Sequence, residues 1–166
     1  FVMFGQHFGS LDGLRIAIVG DIRHSRVARS DVWAFTTLGA HVTLVAPPTL
    51  LPPDLTGWPV TTSTNFDEVL TEVDAIYVLR VQAERGGASV FPSVAEYRER
   101  FGMTDARFAR LQPDTIVMHP GPMIRGIEID GGVADDPRCK VLEQVTNGVA
   151  VRMAVLFQLL GGSRDE

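Results

Sequence analysis

The chain holds one cysteine, Cys139, one lysine, Lys140, and no apolar run near the ~20 residues needed to span a bilayer. A lone cysteine excludes an internal disulfide framework and suits a reducing, cytoplasmic setting. With only four scattered histidines beside it, no metal-ligand spacing is present, and no metal is expected. An excess of positive charge is also lacking. Fifteen basic side chains against twenty acidic ones leave −5, which argues against a general nucleic-acid surface. The dinucleotide fingerprint GxGxxG is missing too: the first strand-like run ends in Gly20-Asp21 alone. The second ends in Ala46-Pro47, with no acidic residue to hold a ribose. No cofactor is expected on these grounds. Repeats and low-complexity tracts are absent.

What is present is a chain of 166 residues, 45% apolar and 21% charged, enough for one domain with a hydrophobic core. Fourteen of its fifteen basic residues are arginine. Arginine suits bidentate recognition of carboxylate and phosphate, but compositional bias alone can produce the count, so position matters more. Residues 1–10 (FVMFGQHFGS) show neither helical nor strand periodicity. They are read as an expression remnant and set aside, leaving a domain over 11–166.

Along the rest of the chain, apolar runs alternate with helical patterns. Strands are expected at 15–20, 41–46, 75–79 and 115–118, with an edge strand at 60–62. Helices are expected at 25–38 (closed by Gly39), 65–73, 93–101, 104–111 and 141–160, the last broken at Asn147-Gly148. Asn65/Glu68 and Ser93/Glu96 have capping-box spacing. The proline-rich segment 47–59 and the long segment 119–137 are expected as loops. This alternation implies βαβ units, hence an α/β fold: a doubly wound, Rossmann-like parallel sheet of four to five strands, order 3-2-1-4-5, with helices on both faces.

Three of the strands end in chemistry. Residues 75–85 (AIYVLRVQAER) pass from a buried strand into Arg80, Gln82, Glu84 and Arg85. The first strand runs into GDIRHSRVARS (20–30), placing Ser25 and Arg26 at a helix start, where a hydroxyl, free N–H groups and a guanidinium favour an anion. The fifth runs into HPGPMIRGIEI (119–129). Here Pro120 and Pro122 around Gly121 leave few backbone states and can hold carbonyls fixed. Ligands of open α/β sheets bind outside the carboxyl ends of the strands, so a small, multiply negative ligand is expected. Each feature has a plainer reading: a serine cap with solvated arginines, a surface ion pair between Arg80 and Glu84, a strand-terminating turn with a structural His119. Arg152, on an apolar helix, either has a partner or snorkels to solvent.

Taken together, GDIRHSRVARS, YVLRVQAER (77–85), HPGPMIRGIEI and NGVAVRMAVL (147–156) resemble the aspartate-binding domain of aspartate carbamoyltransferase, in register across 11–160. The related ornithine enzyme carries a His-Cys-Leu-Pro stretch where this chain has His119-Pro120-Gly121-Pro122. The resemblance implies condensation of carbamoyl phosphate with L-aspartate to N-carbamoyl-L-aspartate and phosphate, in pyrimidine biosynthesis. It implies that Arg26 and Arg80, helped by Gln82, hold the two aspartate carboxylates. Glu84 would orient Arg80, and carbonyls around Gly121 and Pro122, joined by a cis bond, would receive the carbamoyl amide. Arg85, His119 and Arg152 would support the site.

There are departures from the family's pattern. Ile124 stands where many members have asparagine. The Ser-Thr-Arg-Thr-Arg motif by which the family's other half binds carbamoyl phosphate does not occur, nor does the catalytic histidine in a matching context. The chain therefore reads as half of an enzyme without a complete catalytic set. It is expected to be inactive and monomeric alone, and to belong in full length to a homotrimer. The alternative is a non-catalytic nucleotide-binding or regulatory module.

Overall fold

The run RIAIV offers solvent almost no polar position and must be covered on both faces. It becomes β1 (Arg15–Val19), the central strand of a parallel sheet, buried at every position but the first. The computed structural model describes residues 1–81 and 93–161. On one side of β1 the sheet continues through β2 (His41–Val45) to the edge strand β3 (Val60–Ser63). On the other it continues through β4 (Ala75–Val78) to β5 (Ile116–Met118). The order β3-β2-β1-β4-β5 is the doubly wound one expected. All of β4 and β5 is buried, so both sheet faces are covered there.

The helices start where side chains can satisfy their free N–H groups. α2 (Arg26–Thr37) is capped by the Ser25 hydroxyl, which accepts from the Ala28 amide at 3.0 Å. It buries Ala28, Val32 and Phe35 on one stripe. Gly39 follows at φ 89, and a Cβ there would stand 2.3 Å from an Asp12 carboxyl oxygen, so only glycine closes this turn without displacement. Asn65 opens α3 (Phe66–Val69), Ser93 opens α4 (Val94–Phe101) and Thr104 opens α5 (Asp105–Phe108), each through a side-chain oxygen. α3 and α5 stop well short of the 65–73 and 104–111 expected.

Three expectations are corrected. Residues 1–10 do not lie outside the fold: α1 (Val2–Phe8) is a helix whose Met3 and Phe4 are buried in the core. The Phe4 ring meets Phe35 of α2 edge-on at 5.0 Å. Two turns interrupted by Gly5 are too short to display a period. The segment 119–137 is not wholly loop, because Gly131–Asp135 forms α6. Its Gly-Gly start is a poor helix signal. Asp130, just before it, spends its carboxylate on Arg98 (2.9 Å) and the Asp105 amide (3.2 Å). Finally, α7 (Val141–Gly161) runs unbroken through Asn147-Gly148. Asn147 is held there by its amide, which donates to Gln6 Oε1 of α1 at 2.9 Å, a tertiary contact that outweighs propensity.

Candidate substrate-binding site

From β1 the chain winds toward β2 and β3, and from β4 toward β5, so β1 and β4 flank the point where strand order reverses. Val19 pairs with Val78 in register, and the Leu79 amide donates to the Val19 carbonyl at 2.8 Å. Gly20 and Leu79 therefore leave the sheet side by side, which brings the segments carrying Arg26 and Arg80 to one place. Gly20 adopts φ 126, and a Cβ on it would lie 3.1 Å from the Tyr97 hydroxyl and 3.2 Å from Leu79 Cβ. The close approach of these elements thus depends on glycine.

A cleft of about 360 Å³ opens here, lined by Asp21, His24, Ser25, Arg26, Val27, Leu79, Arg80, Pro120, Gly121 and Pro122. The turn before α2 is tied by the nearly buried Asp21, which accepts from the His24 amide at 3.2 Å and lies 2.9 Å from its Nδ1. Arg26 is exposed on the first turn of α2, and Arg80 is half-buried two residues past β4. The opposite wall is Pro120-Gly121-Pro122, with the Gly121–Pro122 bond cis. Two guanidinium side chains, a capped helix N-terminus and a proline-stiffened backbone segment are an arrangement for a compact polyanion.

His119 lies behind this wall, fully buried. Its Nδ1 accepts from the Gly121 amide at 2.9 Å, so Nε2 carries the proton and faces Glu128 Oε1 at 3.3 Å. The same oxygen accepts from the Ile124 amide at 2.5 Å. Glu128 is the site residue that sequence reasoning missed. A carboxyl flanked by the apolar Ile127 and Ile129 was the available signal. Tyr97 is buried beside this group. Its phenol is pushed well above the usual tyrosine range by burial first, then by Glu128 and Asp21.

The structure thus gathers Arg26, Arg80, Gly121 and Pro122 in one cleft and sets His119 beneath it. It does not bring Arg152 there: that residue is exposed on α7 and lines a separate cavity of about 440 Å³ with Phe4, Asp31, Tyr77 and Gln144. Gln82, Glu84 and Arg85 lie outside the described residues. A larger depression of about 680 Å³ also contains arginines. They are already committed: Arg107 and Arg110 to Asp67, Arg98 to Asp130. Those arginines hold α3, α4 and α5 together and are poorly placed to take a ligand.

Comparison with known proteins agrees with this geometry. Residues 12–159 match the family model described as aspartate/ornithine carbamoyltransferase, Asp/Orn binding domain. An aspartate carbamoyltransferase catalytic subunit from Thermobifida fusca is 60% identical over 158 residues, which is 95% of this chain and 50% of that protein. Among solved structures, the catalytic subunit of M. jannaschii aspartate transcarbamoylase superposes with a TM-score of 0.79 at 29% identity, over 97% of this chain and 55% of that one. The ornithine carbamoyltransferase of Pyrococcus furiosus superposes with a TM-score of 0.80 at 25% identity, over 97% and 54%. The chain spans about half the length of the curated relatives it matches.

Proposed function

The chain belongs to the aspartate/ornithine carbamoyltransferase family through its Asp/Orn-binding domain, and from that premise we propose that it is the L-aspartate-binding half of an aspartate carbamoyltransferase. The observation that carries the reading is the cleft at the strand-order switch, where Arg26 and Arg80 stand across from Pro120-Gly121-Pro122. Fold likeness alone is shared with the ornithine enzyme. Two guanidiniums suit the two carboxylates of aspartate, whereas ornithine brings a second cation. The level of identity to an aspartate-type catalytic subunit points the same way.

In this reading each arginine forks one carboxylate of L-aspartate through paired N–H donors. Gln82 adds a donor and Glu84 orients Arg80, with Arg85 in a supporting position. Held at both ends, the substrate presents its α-amine to the carbamoyl carbon. A C–N bond forms, the C–O bond to phosphate breaks, the amine loses a proton and inorganic phosphate leaves. Carbonyls of the 120–122 segment accept from the carbamoyl amide. The rate gain comes from orientation and from charge stabilisation, and the latter needs a phosphate-binding partner half. The face left open on α7, where Leu142, Phe157 and Leu160 are each more than two-thirds exposed, is the surface that such a half covers. The full-length chain acts in the cytoplasm as a homotrimer, and the isolated chain is a monomer.

The test is carbamoyl transfer by the full-length chain that carries this domain, offered L-aspartate and L-ornithine in parallel. N-carbamoyl-aspartate as the product supports the reading. Citrulline as the only product, or binding of NAD by the domain without binding of aspartate, overturns it.

A further inference from the structure

We propose that Glu128 is a positioning residue for the proline-flanked wall of the site, acting partly through His119. This rests on the reading of that wall as the side facing the carbamoyl group.

The segment 120–124 has few ways to be held. Pro120 and Pro122 have no N–H, so only Gly121, Met123 and Ile124 can donate from the main chain. Two of these three donors are taken by the buried pair: Gly121 by His119 Nδ1 and Ile124 by Glu128 Oε1. His119 Nε2 closes the circuit on the same Glu128 oxygen. One carboxyl oxygen therefore anchors both ends of the segment, one end directly and the other through an imidazole. Its own backbone is fixed in turn: the Met103 amide donates to the Glu128 carbonyl at 2.9 Å, and Met103 bridges Ile129.

Peptide planarity converts this into aim. The Pro120–Gly121 and Met123–Ile124 bonds are trans, so each carbonyl points opposite to the N–H of its own unit. With the Gly121 amide turned in toward His119, the Pro120 carbonyl is turned away from the buried pair. The same holds for the Met123 carbonyl relative to Glu128. His119 and Glu128 are each 0% exposed, so neither meets a substrate. Their effect on the reaction passes through the main chain they hold. A buried carboxyl and imidazole are expensive to keep in an apolar interior unless hydrogen-bonded, and an isosteric apolar pair could fill the same space. What such a pair could not do is hold two amides.

The experiment compares E128A and E128Q with wild type in the full-length chain. Glutamine keeps an acceptor oxygen for both donors; alanine keeps none. For E128A we expect kcat to fall and KM for carbamoyl phosphate to rise, together costing at least about tenfold in kcat/KM, with KM for aspartate little changed. E128Q is expected to restore most of that loss. Unchanged kinetics in E128A, or equal loss in both variants with KM values unmoved, overturns the proposal. If E128A does not fold, amide exchange in wild type decides. Gly121 and Ile124 should be protected while Met123 exchanges faster; equal exchange at all three overturns it. Absence of carbamoyl transfer by wild type would instead sink the functional reading, and the exchange pattern would still judge the clamp.

Discussion

Arg80 stands two residues past a strand with no exposed residue, after Leu79, whose amide is still bonded to Val19, so its backbone has little freedom and its guanidinium is delivered to the cleft by the sheet itself. In the proposed reading, truncation removes a ligand contact. In the full-length chain, Arg80→Ala is expected to raise KM for aspartate or lower kcat by at least about tenfold, since a charge-assisted fork is lost. Carbamoyl phosphate binding should be little affected, and steady-state kinetics with each substrate varied separate the two. Asp31 supports a different prediction. Burial pushes its carboxyl up to about 6 from 3.8, with the N-terminal amine opposing, and its Oδ2 has no hydrogen-bond partner among the described residues. The folded state therefore holds this proton more tightly than the unfolded chain. The resulting penalty is absent below the unfolded value, grows as pH rises from about 4 and is complete above about 6. Asp31→Asn should stabilise the 166-residue chain by about 1–3 kcal/mol near neutral pH and hardly at all near pH 4, as judged by denaturant unfolding at both. At this scale the gathering of Arg26 and Arg80 at one cleft was legible, because a guanidinium after a buried strand conflicts with everything preceding it, whereas Arg152, singled out on the same kind of contrast, lies on another cavity. Glu128 was not, because its partners are main-chain amides and a histidine nine residues away, and no side-chain pattern encodes main-chain amides.

Elements were legible in proportion to how locally they are determined. α2 has its whole account in its own residues: Ser25 to start it, an apolar stripe to seat it, and Gly39 to end it. Ser25→Ala should cost about 1 kcal/mol of unfolding free energy, the usual value of a lost cap. The helix that escaped notice at the start of the chain depends on partners far away in sequence. Met3 and Phe4 of α1 pack into the core, and Asn147 of α7 bonds to Gln6. Neither contact can be read from ten residues with two glycines and no period. The same tertiary support keeps α7 continuous where propensity expected a break. If α1 is part of the folded unit, Phe4→Ala should destabilise the chain by about 3–5 kcal/mol, as buried phenylalanine truncations do. A change below about 0.5 kcal/mol, within the range of surface substitutions, would return α1 to the status of an appendage.

At the scale of the whole molecule, the sheet order accounts for where the site is, and the site accounts for what half of an enzyme can and cannot do. A doubly wound sheet offers one crevice, between β1 and β4, and this chain places Arg26 and Arg80 there while the arginines around α3, α4 and α5 pair with Asp67 and Asp130. In the proposed reading these two guanidiniums at the crevice take the two carboxylates of the substrate. On that reading they do not suffice for carbamoyl transfer, because the phosphate that leaves carries charge to be met by donors across the crevice. The resemblance assigns that task to a Ser-Thr-Arg-Thr-Arg helix start, and the 166 residues contain no such motif. The 166-residue chain, purified alone with both substrates saturating, is thus expected to form no carbamoyl-aspartate above the uncatalysed rate. Isothermal titration should still detect L-aspartate or succinate binding, weaker than in the full-length chain, because Arg26, Arg80 and the 120–122 segment already line one cleft in this chain. Turnover by the isolated chain would mean that the charge on the leaving phosphate is met from within this domain, and the division of labour argued from its cleft would fall.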